Sequence, residues 1–370
     1  MATSSTVRFN KDDQPEFFQE LRKRVNQHFT DKGITKYANN QMVFKTVFMI
    51  SLYIIPLMLM LSGVVQATWA IVLMWALMSL GMSGIGFSVM HDANHGAYSS
   101  NPRVNDALGS VINLVGGYHI NWRIQHNVLH HSYTNVHEHD EDIDKGIMRF
   151  SPDQERKPAF RYQIFYAPLL YGMMTIFWLV AKDFIQTVDY HKRGLLKAQG
   201  LTFGRAMTYV VLTKIAYVII TLVLPIMILP LVWWQTLLCF LMMHFACGLF
   251  LAFVFQSAHV LEETHFFKID ESGSVQNSWA VHQLKTTANF AEGRHFFSWF
   301  IGGLNYQVEH HLFPNICHVH YPDIAPIVKA TAKEYGVPYY EHPTFFAALR
   351  SHFTMLHKLG TGAYDRQLAA

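Results

Sequence analysis

Histidine is the residue type in this chain best placed to do chemistry, because a neutral imidazole binds transition metals through a ring nitrogen. Three short stretches gather it: HDANH (residues 91–95), HNVLHH (126–131) and QVEHH (307–311). His91 and His95 are spaced i, i+4, as are His126 and His130, so a helix carries each pair on one face. On an α-helix His131 is turned by about 100° from His130 and is expected to address a second ion. His310 and His311 are adjacent, and Gln307 stands one turn before them as a weak ligand or positioning group. His259, in QSAHV, is a further candidate. Eight imidazoles exceed what one tetrahedral zinc uses and suit two metal ions. Ligand type alone leaves zinc, copper, iron and nickel open.

Ligand rings need hydrogen-bonding neighbours to orient them. Asp92, Asn94, Asn127 and Glu309 are the candidates by position, and Asn289 in TTANF is another. The acidic run EHDEDID, with His139, Asp140, Glu141, Asp142 and Asp144, lacks the glycine and closing glutamate of a calcium loop. It is expected as a solvated turn facing a basic partner. His265, His282, His295, His318 and His320 read as structural or surface residues.

The elements that position these groups are largely membrane helices. No charged residue lies between Thr46 and Met90, enough for two crossings at about 20 residues each. They are expected at about 44–62 and 68–90. A second run, Ala206 to Leu261, carries Lys214 as its only charge and divides near Pro225 and Pro230 into about 206–226 and 232–256. His244 sits inside the last of these and is expected to hydrogen-bond between helices. Eight lysines and arginines precede Thr46 and none lie in the hairpin turns, which puts the N-terminus and all three histidine stretches in the cytoplasm. Residues 162–181 carry no charge and could also span. A fifth crossing would separate the second and third stretches, so an interfacial helix near 160–185 is expected instead.

This organisation divides the chain into an N-terminal arm (1–43), hairpin 1 (44–90), a first cap part (91–205), hairpin 2 (206–256) and a second cap part (257–370). The class is an all-α integral membrane protein with four transmembrane helices and a cytosolic helical cap. Composition agrees: charged residues are 15% and hydrophobic ones 51%, against about 25% charged in soluble proteins. The net charge of +3 gives no reason to expect a nucleic-acid partner. Cys239, Cys247 and Cys317 form no CxxC pair, which argues against a thiolate metal site. The polar start of the chain lacks the apolar core of a signal peptide.

HxxxH, HxxxHH and QxxHH, set after two membrane hairpins, resemble the membrane-bound fatty acyl desaturases. The glutamine in the third stretch resembles the front-end branch, which inserts a double bond between an existing one and the carboxyl end. The resemblance runs from about residue 40 to 340 and includes HDANHGAY, HHSYTN and NYQVEHHLFPNICHVHYPDIAPIV. It implies a non-haem di-iron centre held by His91, His95, His126, His130, His131, His310 and His311, with His259 as the additional ligand. It also implies O2 as co-substrate and a fatty acyl chain, on CoA or a lipid, as substrate. Trp122, beside Asn121 and Tyr118, becomes a candidate for the acyl tunnel. Iron suits the task because zinc has no redox chemistry.

Many front-end members carry a fused cytochrome b5 domain marked by HPGG. Here the nearest match is EHPTFF. An external ferredoxin or cytochrome b5 with its reductase is therefore the expected donor, and a bacterial inner membrane the expected location. A histidine-stretch hydroxylase or a sphingolipid desaturase is the alternative within enzymes. A metal transporter is the alternative outside them, disfavoured because transporters place ligands near the bilayer midplane.

Overall fold

The computed structural model describes residues 7–143 and 146–368. Asp144, part of the acidic run, lies outside them. In chain order the main helices are α1 (Pro15–Lys32), α2 (Asn40–Leu61), α3 (Thr68–Asn94), α4 (Pro158–Gly172), α5 (Met174–Lys192), α6 (Phe203–Ile228) and α7 (Trp233–His259). After them come α8 (Trp279–Thr286), α9 (His295–Phe300), α10 (Gln307–Leu312), α11 (Tyr321–Glu334) and α12 (Phe345–Thr361). The described strands are two short parallel pairs, Arg8–Phe9 with Ser274–Val275 and Ala288–Phe290 with Tyr340–His342. The chain forms two compact units.

One unit comprises Ala38–Ile124 and Leu169–Ala252 and contains most of the apolar helices. Among the described residues, α2, α3, α6 and α7 are the four single helices long and apolar enough to cross a membrane. Their starts are set by local caps: Asn39 Oδ1 accepts from Met42 N at 3.1 Å and Thr202 Oγ1 from Arg205 N at 3.4 Å. α2 and α3 touch backbone to backbone at Gly81, where an added Cβ would lie 2.6 Å from Tyr53 N. Such small residues are how lipid-embedded helices approach closely. Polar ties add to this packing. Ser79 Oγ donates to Met243 O at 2.9 Å, and His244 joins Tyr217 Oη (2.9 Å) and Thr175 Oγ1 (3.0 Å), the interhelical role expected of it. Lys214 is buried and paired with Asp183, and also donates to Trp178 O at 3.1 Å. Trp69 and Trp233 stand exposed at the hairpin turns, where aromatic residues favour the membrane interface.

α4 and α5 meet at a bend of 57°. They occupy the segment expected to lie in the interface.

The other unit comprises Met1–Tyr37, Gln125–Pro168 and Phe253–Ala370. α1 has an apolar stripe at i, i+4 spacing, Phe17, Leu21, Val25 and Phe29, with glycine at position 33 closing the helix at φ 61°. The stripe joins one core with Leu284, Val308, Leu312, Ile324 and Val328 from α8, α10 and α11. Each such side chain stabilises by about 1.5–3 kcal/mol when fully buried. The core thus backs the short helix that carries the third histidine stretch.

Candidate metal centre

Six of the eight candidate histidines lie in the unit just described. The second stretch does not form an ordinary α-turn: Ile124–His130 is π-helical, hydrogen-bonded i to i+5, and His131–Tyr133 continues it. The wider turn changes which residues share a face. His131 Nε2 lies 3.2 Å from His126 Nε2, so His131 is not turned away as α-helical geometry predicts. The same atom lies 2.9 Å from His310 Nε2. A second group forms around His130, His259 and His311, whose ring nitrogens all lie within 4.8 Å of one another. His131, His310 and His311 meet the same limit, so the two groups are contiguous.

Hydrogen bonds fix the tautomers. His130 Nδ1 donates to the Asp140 carboxylate at 3.1 Å, His259 Nδ1 to Thr286 O at 3.3 Å, and His311 Nδ1 to Gln283 Oε1 at 2.8 Å. His310 Nδ1 lies 3.2 Å from Tyr321 Oη. A neutral ring that donates through Nδ1 carries its lone pair on Nε2. In His311 that Nε2 is buried and has no hydrogen-bond partner, and His259 has its Nε2 buried with the Gln307 side chain beside the ring. Burial, reinforced by His131 and His259, holds His311 well below the ordinary histidine pKa and so neutral. Converging lone pairs without a proton between them are what a bound cation needs, and metal ligands must be deprotonated. The donor set fits soft-to-borderline transition ions.

Asp140 corrects the sequence reading. It is fully buried, takes the His130 ring, and accepts from Asn135 N (2.9 Å) and Asp142 N (2.9 Å). The acidic run is thus not simply a solvated turn. Its carboxylate is turned inward because two backbone amides and a ring N–H converge there. Gln283, Tyr321 and the Thr286 carbonyl are the other ring partners that sequence reading missed. They lie far along the chain from the rings they hold, and nothing local marks them.

The expected supporting residues take varied places. Glu309 is buried, and its carboxylate accepts from Asn289 Nδ2 (2.7 Å) and Tyr339 Oη (3.0 Å). Asn289 Oδ1 also accepts from Val308 N at 2.9 Å, so it steadies α10 rather than a ring. Burial is the main cause that raises the Glu309 carboxyl to about 7. Gln307 is buried, donates to Leu304 O at 2.9 Å, and sets its side chain against His259. Asn127 is half-buried on the π-helical turn. His282 is structural, as expected: it is buried and donates to Thr134 O at 2.7 Å.

The first stretch lies in the membrane-helix unit, at the end of α3, just after a π-helical turn at Ile85–Val89. His91 and His95 have ring centroids 4.8 Å apart, and Trp122 sets its edge against both at 5.6 and 6.0 Å. Asp92 Oδ1 is 3.7 Å from His91 Nδ1. Asn94 donates to Gly109 O at 3.1 Å and accepts from Arg123 at 3.2 Å, fastening the chain beyond the helix end.

Comparison with known proteins decides what this histidine-rich molecule is related to. The family model described as fatty acid desaturase matches residues 67–343. The chain belongs to the fatty acid desaturase family. Among the curated relatives, an sn-1 linoleoyl-lipid 6-desaturase of Synechocystis sp. is 36% identical, covering 97% of this chain and 99% of its own. An acyl-lipid (8-3)-desaturase of Physcomitrium patens is 33% identical over 96% of this chain and 74% of its own. A Delta(5) fatty acid desaturase A of Dictyostelium discoideum is 33% identical over 93% and 75% respectively. The protein is accordingly an oxidoreductase acting on fatty acyl chains, a desaturase of the front-end type.

Proposed function

We propose that this desaturase introduces a cis double bond on the carboxyl side of an existing one in a C18 polyunsaturated chain, with a linoleoyl lipid as substrate and position 6 as the new site. The nearly end-to-end similarity to an sn-1 linoleoyl-lipid 6-desaturase supports the substrate. The observation that carries the chemistry is the set of buried Nε2 atoms at His259 and His311, beside the close contacts of His131 with His126 and His310.

We assign two non-haem irons to His91, His95, His126, His130, His131, His259, His310 and His311. Bound there, iron supplies the redox chemistry with O2 that no side chain offers. The chain's own groups do the rest. Asp140, Gln283 and the Thr286 carbonyl hold three rings through Nδ1 with Nε2 forward, and Tyr321 lies against His310. Burial keeps bulk water from the rings, and Gln307 Oε1 positions a water or the substrate. Asp92, Asn94, Asn127 and Glu309 act as supports, and Trp122 lines the acyl path. In balance, the acyl chain gives up two hydrogens, a donor supplies two electrons and two protons, and O2 leaves as two waters.

We propose an external ferredoxin or cytochrome b5 with its reductase as the donor; within this sequence His342–Pro343 runs into Thr344 rather than the glycines of a haem loop. The histidine stretches face the cytoplasm of a bacterial inner membrane, and the bent α4–α5 segment lies in the interface. Expression in a host with simple fatty acids, fed linoleate and a reductant, tests the reading by mass spectrometry. A chain lighter by two hydrogens with a new bond at position 6 is expected. A product heavier by one oxygen refutes desaturation. A new bond elsewhere refutes the regiochemistry alone. His310→Ala should abolish turnover and lower bound iron.

A further inference from the structure

The most exposed apolar side chains outside the four spanning helices gather at one place in the unit that carries the third histidine stretch. Phe296, on α9, is 79% exposed and Phe346, on α12, is 78% exposed, more than Met227 at 75% on the apolar helix α6. The two helices are neighbours, since Phe297 and Phe345 have ring centroids 5.3 Å apart. In water such residues are costly, at about 25 cal/mol per Å² of apolar surface.

α12 is two-faced. Ala348, Ser351, His352, Met355, Leu356 and Leu359 are buried on one side. On the other, Phe346, Arg350, Phe353 and His357 follow at spacings of three and four, within one stripe. No acidic residue occurs in Phe345–Thr361 or in residues 293–306, while Arg294, His295, Arg350 and His357 are all exposed. Aromatic side chains interleaved with cations match a layer of phosphate-bearing headgroups over acyl chains.

The buried face of α12 also fixes where it stands. Phe353, half-buried at the edge between the two faces, meets Phe253 of α7, ring centroids 6.2 Å apart. His352 Nδ1 donates to Val260 O at 2.9 Å, Ser351 Oγ accepts from Glu262 N at 3.1 Å, and Lys358 pairs with Glu262 at 2.6 Å. α12 is therefore bolted to the last turns of a spanning helix and the residues immediately after it. Gly360 packs on Phe160 and Gln163 Nε2 donates to Leu356 O at 2.7 Å, which joins it to the start of α4 as well.

We propose that α12, with α9 beside it, is an interfacial helix: Phe346, Phe353 and Phe296 dip into the bilayer surface, and Arg294, Arg350 and His357 meet anionic lipid headgroups. The occupant of this face is the host membrane itself, whichever acyl chain is processed.

The full chain in nanodiscs containing phosphatidylglycerol provides the test. A cysteine at Phe346→Cys carries an environment-sensitive NBD label, with Leu349→Cys on the same side as a second reporter should the first fail to fold. Asp31→Cys on α1 is the aqueous control, and signal from the parent chain's own cysteines is subtracted. Labels at 346 and 349 should emit to the blue of the control and be quenched several-fold more by brominated lipid. Quenching by aqueous iodide equal to that of the control overturns the proposal. So does protection that appears only when two chains share a disc, since a second copy would then be the cover.

Discussion

At the scale of single residues, the site depends on groups that do not ligate. Asp140 is the clearest: fully buried, it shares its carboxylate between His130 and two backbone amides. Asp140→Asn keeps the shape but weakens the ring's partner, and retained iron or activity should fall about 10–100-fold, the usual effect of losing such support. Metal analysis beside turnover measures it; unchanged iron would mean the ring is held by other means. A second expectation concerns acid. Burial pushes His282 down to about 4 and His352 likewise. Below about pH 6.5 the unfolded chain takes up protons that these folded residues refuse. The contribution of these two residues to stability is therefore full above that pH and is lost progressively toward pH 4. His282→Gln, which keeps a donor near Thr134 O, should flatten the slope by about 3 kcal/mol across that range; thermal unfolding in detergent as a function of pH shows it.

At the scale of elements, the spanning helices were readable from the sequence and the histidine-bearing turn was not. The expected spans of about 44–62, 68–90, 206–226 and 232–256 lie within four residues of the observed helix ends. Long uncharged runs permit little else in a bilayer. By contrast, His131 was expected on a different face from His126, and the structure puts their Nε2 atoms 3.2 Å apart. The π-helical turn responsible is selected by tertiary packing, and no propensity scale encodes it. The supports at Gln283 and Tyr321 escaped notice for a related reason, since a ring's partner 28 or 11 positions away leaves no local pattern. Helix packing offers its own test. Gly81→Val would press a side chain onto the backbone of α2 at Tyr53. Thermal unfolding should register a loss of about 1–3 kcal/mol or more, and a neutral result would mean the two helices part easily.

At the scale of the whole molecule, sidedness decides which compartment supplies electrons. The positive-inside pattern predicts that Gln66, exposed in the first hairpin turn, faces outward. A cysteine there should react with an impermeant maleimide on intact cells, whereas one at Lys32 should react only after the membrane is opened. The reverse pattern would turn the histidine stretches outward and exclude a cytoplasmic donor.

The 2.9 Å approach of His131 to His310 is made across 179 positions of chain. On a ribosome, the earlier imidazole emerges and α6 and α7 are inserted long before its counterpart exists. With iron held by the residues proposed above, metal capture at this place waits until translation is nearly over. Iron cannot act as an early template for assembly here, and cells starved of it should accumulate inserted but inactive protein that later supply can activate.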